Sequence, residues 1–175
     1  MATPPRGRKR GAARAAPRRI PDPPRRVLVA SPAAPLPIEV LERVVELATP
    51  EHAKITVLGV ARVYGTSLGL PHPGLRPTHL EWEDLRGYVD TAAEILRAKG
   101  FEVRVALSRS RNAPKMIAAW VRAKNFHAVV VPDPPRARWR LVIEGDLARE
   151  IERRCHVPVH AVPVSDASDR GARTA

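Results

Sequence analysis

Apolar and polar positions in this chain alternate between short solid runs and helical stripes. Val27-Leu28-Val29-Ala30-Ser31 is a solid apolar run of the kind found in strands buried on both faces. Pro35 and Pro37 suit a first helical turn. Ile38, Leu41, Val44, Val45 and Ala48 then share one helical face, Glu39, Glu42, Arg43 and Glu46 the other, and Thr49-Pro50 ends the stripe. Ile55 to Val60 predicts a second strand. Thr78-His79-Leu80-Glu81 has the capping-box pattern and opens a helix expected to bury Leu85, Tyr88, Val89, Ala92, Ile95 and Leu96, with Gly100 closing it. Phe101 to Leu107 alternates, which predicts a third strand with one partly exposed face. Asn112-Ala113-Pro114 opens a helix that turns Ile117, Trp120 and Val121 inward, and Ala128 to Val131 is a fourth strand. Asp146 caps a last helix bearing Leu147, Ile151 and Cys155, and Val157 to Val164 is a fifth strand holding Pro158 and Pro163. The order βαβαβαβαβ predicts an α/β fold, a three-layer sandwich in which helices cover both faces of a five-stranded parallel sheet.

Two connections stand apart from this regular pattern. Arg62 to Pro77 is long for a compact domain and carries three glycines and three prolines. The other follows the fourth strand, where parallel α/β proteins commonly place a phosphate-binding loop. Such loops depend on bare backbone N–H groups and on glycine's freedom. Here the stretch has Pro132, Pro134 and Pro135, which lack that N–H.

Composition changes the picture mainly at the N-terminus. The 175 residues fit one domain plus tails, and an aromatic content of 4% leaves the core to Val, Leu, Ile and Ala. The formal charge is +12, but residues 1–26 hold nine Arg and Lys against Asp22, a net +8, so the remainder carries only +4. The segment 1–25 is rich in Pro, Arg and Ala, has no aromatic residue, and is expected to be disordered, as are residues 165–175. Its cations suit phosphate neutralisation, so nonspecific nucleic acid or an anionic surface is a candidate partner for residues 1–26, although no aromatics are interleaved for base stacking. No apolar run is long enough to insert in a membrane, and a cytoplasmic location is expected. Cys155 is the only cysteine and reads as a small packing residue.

Catalytic motifs are missing. The chain has no Gly-x-Ser-x-Gly, no Gly-x-Gly-x-x-Gly after the first strand and no Gly-x4-Gly-Lys-Ser/Thr. His72, His79, His127, His156 and His160 show no ligand spacing, so no metal site is expected. The expectation is a protein that is not an enzyme.

The region from residue 26 to 164 resembles the universal stress protein family. The resemblance rests on the Val27-Leu28-Val29-Ala30 run, on Pro132-x2-Pro135 followed by nine residues and Gly145-Asp146, and on Cys155-His156-Val157-Pro158-Val159 before the last strand. It implies the adenine nucleotide alpha hydrolase-like, universal stress protein fold over residues 26–164, a role in stress response or regulation, and a homodimer paired through the last strand. It also implies a nucleotide loop that has lost its ligands. Pro32 stands where ATP-binding members have Asp, Pro132 and Pro135 replace glycines, and Asp146 replaces a hydroxyl residue after Gly145. ATP is therefore not expected as a cofactor. The alternative is an adenine-nucleotide sensor in which Arg136, Arg138 and Arg140 hold phosphates and the adenine lies near Val60.

Overall fold

A computed structural model describes residues 23–32, 34–63, 77–133 and 147–164. The elements follow one another as β1 (Arg26–Ser31), α1 (Ile38–Leu47), β2 (Lys54–Arg62), α2 (His79–Ala98), β3 (Glu102–Ser110), α3 (Ala113–Lys124), β4 (Ala128–Asp133), α4 (Leu147–Glu152) and β5 (Val159–Pro163). All strand pairs are parallel, in the order β3-β2-β1-β4-β5. The chain is thus the expected α/β sandwich around a five-stranded sheet.

Alternation along each strand splits the core in two. Val27, Val29, Ile55, Val57 and Val130 face α1 and α2, while Leu28, Ala30, Leu58, Val60, Val129 and Val131 face α3 and α4. Both faces are dry, which accounts for the near-continuous apolar runs of β1 and β4.

Helix ends follow local chemistry. Thr78 and Glu81 form a reciprocal capping box: the Glu81 N–H donates to Thr78 Oγ1 at 3.2 Å and the Thr78 N–H to Glu81 Oε2 at 2.7 Å. The Lys115 N–H donates to Asn112 Oδ1 at 2.9 Å, and Asn125 closes α3 with φ 51°. Gly100, with φ +89°, takes the chain out of α2 in a conformation other residues resist. Gly59 has a different reason to lack a side chain. A Cβ there would meet Leu107 Cδ2 at 2.9 Å and Leu85 Cγ and Val89 Cγ1 at 3.0 Å, so α2 rests directly on the β2 backbone.

The helical stripes are rotated from the sequence expectation. In α1 the buried residues are Val40, Leu41 and Val44, with Ala48 just beyond, whereas Ile38 is 50% exposed and Val45 38%. At 100° per residue Ile38 and Val45 lie together on a flank, and the sheet takes the arc centred on Val44 and Ala48 instead. α2 shows the same shift: Ala93 is buried, Ile95 half-buried and Tyr88 37% exposed. Trp120 is half-buried. Cys155 lies past the end of α4, not within it. It is buried, its N–H and Sγ–H both donate to Ile151 O at 3.0 Å, and burial pushes its thiol pKa up. The fifth strand is shorter than expected, beginning at Val159.

Candidate functional site

Strand order reverses between β1 and β4, and in such sheets ligands settle beyond the carboxyl ends of the strands at the reversal. The register shows the opening. The β1–β2 ladder continues to Ser31 opposite Gly59, but the β1–β4 ladder stops at Val29 opposite Val130. Beyond that pair the two strands separate, and Ser31, Pro32, Pro132 and Asp133 stand at the rim.

Pro132 is buried within β4 without breaking the sheet, and the bond directions explain how. The Val129 N–H donates to Pro158 O, toward β5, at 3.0 Å. Successive residues of a parallel strand turn their peptide groups to opposite neighbours. Val131 therefore also bonds toward β5, and the ring nitrogen of Pro132 faces β1. The β4–β5 ladder runs on undisturbed through Pro132 opposite Val162 and Asp133 opposite Pro163. The lost N–H is one that would have pointed into the crevice.

Ser31 was not singled out in the sequence, yet it is the only fully buried polar residue of the described core. Its Oγ–H donates to Ala34 O, so the hydroxyl is spent within its own turn. Pro32, half-buried, follows it and brings no carboxylate. Asp133 is exposed, and its carbonyl accepts from the Val164 N–H at 3.1 Å. Val60 is 1% exposed and belongs to the α3-side core, so its side chain offers no surface to a ligand. Pro135, Arg136, Arg138, Arg140, Gly145 and Asp146 lie outside the described residues, as do residues 1–22 and 165–175.

Among the described residues no buried side-chain polar atom lacks a partner. No three His, Cys, Asp or Glu side chains among them come together as a metal would require. No helix among them is long and apolar enough to cross a membrane.

At the open edge of the sheet, β5 shows a related use of proline. The Val164 N–H bonds to β4, so His160 and Val162 also bond inward, while Val159, Ala161 and Pro163 turn their peptide groups outward. The missing N–H of Pro163 falls on the free edge. His160 sits near Arg43 of α1; burial, and then the neighbouring guanidinium, hold its pKa below the ordinary 6.5.

A sequence model described as the universal stress protein family matches residues 24–163. No curated protein matches the chain by sequence. Solved structures share the fold. A universal stress protein family member from Burkholderia pseudomallei superposes with a TM-score of 0.58 at 19% identity, over 80% of this chain and 96% of that one. The universal stress protein from Archaeoglobus fulgidus in complex with dAMP gives 0.56 at 18%, over 78% and 95%. A family protein from Arabidopsis thaliana with AMP bound gives 0.53 at 15%, over 82% and 94%. The crossover order, the crevice at its reversal and the family match over most of the chain agree, and the chain belongs to the universal stress protein family.

Proposed function

We propose that this protein is a regulatory member of the family that acts through protein contacts in stress response, without catalysis and without depending on ATP. The observation that carries the reading is the pair of prolines at the crevice. Pro132 turns its ring nitrogen toward β1 and so brings no N–H to the crevice, and Pro32 stands where, by the family resemblance, ATP-binding members have Asp. By the family resemblance Asp146 replaces a hydroxyl residue after Gly145, which puts an anion where ATP-binding members have none. Isothermal calorimetry with ATP, ADP and cyclic AMP tests this, together with the absorbance of nucleotide released on denaturing the purified protein. No heat of binding and no released nucleotide are expected.

A second reading is an adenine-nucleotide sensor that grips phosphates through Arg136, Arg138 and Arg140. The relatives crystallised with dAMP and AMP favour it. Micromolar ATP binding that disappears in Arg138→Ala would establish this reading in place of the first.

The working unit proposed is a homodimer joined along β5. Val159 and Ala161 turn peptide groups outward, which leaves enough donors for a short ladder despite Pro163. Ala161→Pro removes the central outward N–H while sparing the bonds to β4. Analytical ultracentrifugation is expected to show at least a tenfold weaker dimer, with an unchanged circular dichroism spectrum.

A further inference from the structure

The two edges of the sheet differ. β5 is five residues long and carries Pro163 on its free side. β3, at the other edge, is nine residues long, has no proline, and keeps register with β2 throughout without a bulge. The Val63 N–H donates to Ser110 O at 3.1 Å, so the even-numbered residues of β3 bond to β2. Val103, Val105, Leu107 and Arg109 therefore turn their peptide groups away from the sheet. Arg97 Nη2 reaches round from α2 to Val103 O at 3.1 Å, as that direction requires. Among the described residues no strand pairs with this side of β3.

An open groove of about 330 Å³ lies along the middle of this edge, lined by Arg86 and Asp90 of α2 and by Val105, Ala106 and Leu107. Long edges are normally guarded by proline, a bulge or charge. Here the charged residues Glu102, Arg104 and Arg109 stand toward the strand ends, and Val105 to Ser108 between them are uncharged and half-buried. α2 gives the groove a charge pattern. A side chain on Gly59, which pairs with Leu107, would meet Leu85 and Val89, so that turn of α2 lies over Leu107. The crossover helix runs against the strand, which sets Arg86 level with Leu107 and Asp90, one turn on, level with Val105. Both are exposed, and neither is ion-paired among the described residues.

We infer that β3 pairs antiparallel with β3 of a second copy of this chain, about a twofold axis through Ala106. The outward peptide groups of an edge strand are matched by another extended backbone. A twofold at Ala106 pairs all nine residues and leaves none overhanging. Val105 then exchanges both main-chain bonds with the second copy's Leu107. Ala106 faces its own image at the close, non-hydrogen-bonded position, where small side chains fit. No like charges fall directly opposite: Arg104 meets Ser108, Glu102 meets Ser110 and Arg109 meets Val103. The same axis exchanges the levels of Arg86 and Asp90, so each guanidinium is brought toward the other copy's carboxylate. This self-matching pattern makes a second copy the occupant that the edge fits. The contact is separate from the pairing proposed along β5, and use of both edges joins β5 dimers into larger species as concentration rises.

Cysteine cross-linking of the full chain reads both the contact and its register. Ala106→Cys is expected to give a covalent dimer on oxidation with copper phenanthroline, since the close position sets the two Cα atoms about 4.5 Å apart, within disulfide reach. Ser108→Cys alone is expected to cross-link at least about tenfold more slowly, because Arg104 stands opposite it, whereas Ser108→Cys mixed with Arg104→Cys is expected to form the joined pair. Cys155 is buried, and the unaltered chain gives the background. In sedimentation, Arg86→Asp is expected to weaken association roughly fivefold, the axis repeating the lost pair twice, and Arg86→Asp with Asp90→Arg to restore it. Thermal melts verify the fold of each variant. The inference is overturned if Ala106→Cys stays monomeric on non-reducing gels, if Ser108→Cys cross-links as fast, or if Arg86→Asp leaves association unchanged. A cross-link from Ala106→Cys to Ala161→Cys in its place would assign this edge to β5 of the second copy and overturn the twofold. Ala161→Pro removes the β5 pairing alone and is expected to leave the Ala106→Cys cross-link unchanged, so the two contacts fail separately.

Discussion

The two ends of this sheet present different groups from the same backbone. At the carboxyl end, β1 and β4 part after Val29 and Val130, and the rim presents two prolines, a serine bonded to its own turn and one exposed carboxylate. At the amino end, Arg25, Arg26 of β1, and Arg122 and Lys124 of α3 stand without carboxylate partners among the described residues. Exposed cations stand at both ends of the sheet, with Arg109, Arg111 and Lys115 at and beyond the carboxyl end of β3; it is the described rim between β1 and β4 that carries none.

Exchanging features between the ends is the strongest way to break the contrast. Pro132→Gly with Pro135→Gly and Asp146→Ser restores the residue types that the family resemblance assigns to ATP-binding members, an expected change of about 3 kcal/mol in favour of ATP, or roughly a hundredfold in affinity by calorimetry. No gain in a folded variant would mean that something other than these three positions governs the crevice.

Packing beneath the crevice comes next in size. Gly59→Ala drives a methyl group against Leu107, Leu85 and Val89 and is expected to cost about 1–3 kcal/mol in urea unfolding. Thr78→Ala removes the capping box of α2 and is expected to cost about 1 kcal/mol by the same measurement.

His160 gives the smallest effect. Its folded pKa lies below the ordinary 6.5, so the unfolded chain takes up the proton first as the pH falls. Its neutral form therefore supports the fold fully above about 6.5, and that support is lost as the pH drops from there through the lower folded value. Urea midpoints followed from pH 8 to 5 should show the decline, and His160→Gln should flatten it. An unchanged profile in the variant would place the pH dependence elsewhere.

Much of the framework is legible in single residues. Thr78 with Glu81, Asn112 and Gly100 act within one turn of chain, so their chemistry can be read locally, and all three do what their positions suggest. The solid runs of β1 and β4 reveal strands buried on both faces for the same reason. Helix faces were less legible. Ile38 and Tyr88 are as hydrophobic as their buried neighbours, and only the placement of α1 and α2 on the sheet leaves them on a flank. Pro132 could be recognised from the chain as a missing donor. Its direction could not, because that depends on which strand lies to either side.

Periodicity, capping residues and prolines are properties of neighbours in the chain, so the sequence by itself determined the order of elements, the parallel sheet and the loss of glycine from the loop after β4. The strand order, the parting of β1 from β4 and the outward turn of Pro163 were decided only by tertiary structure. Each joins residues far apart in the chain, and their proximity arises from burying two apolar faces of one sheet rather than from any local preference.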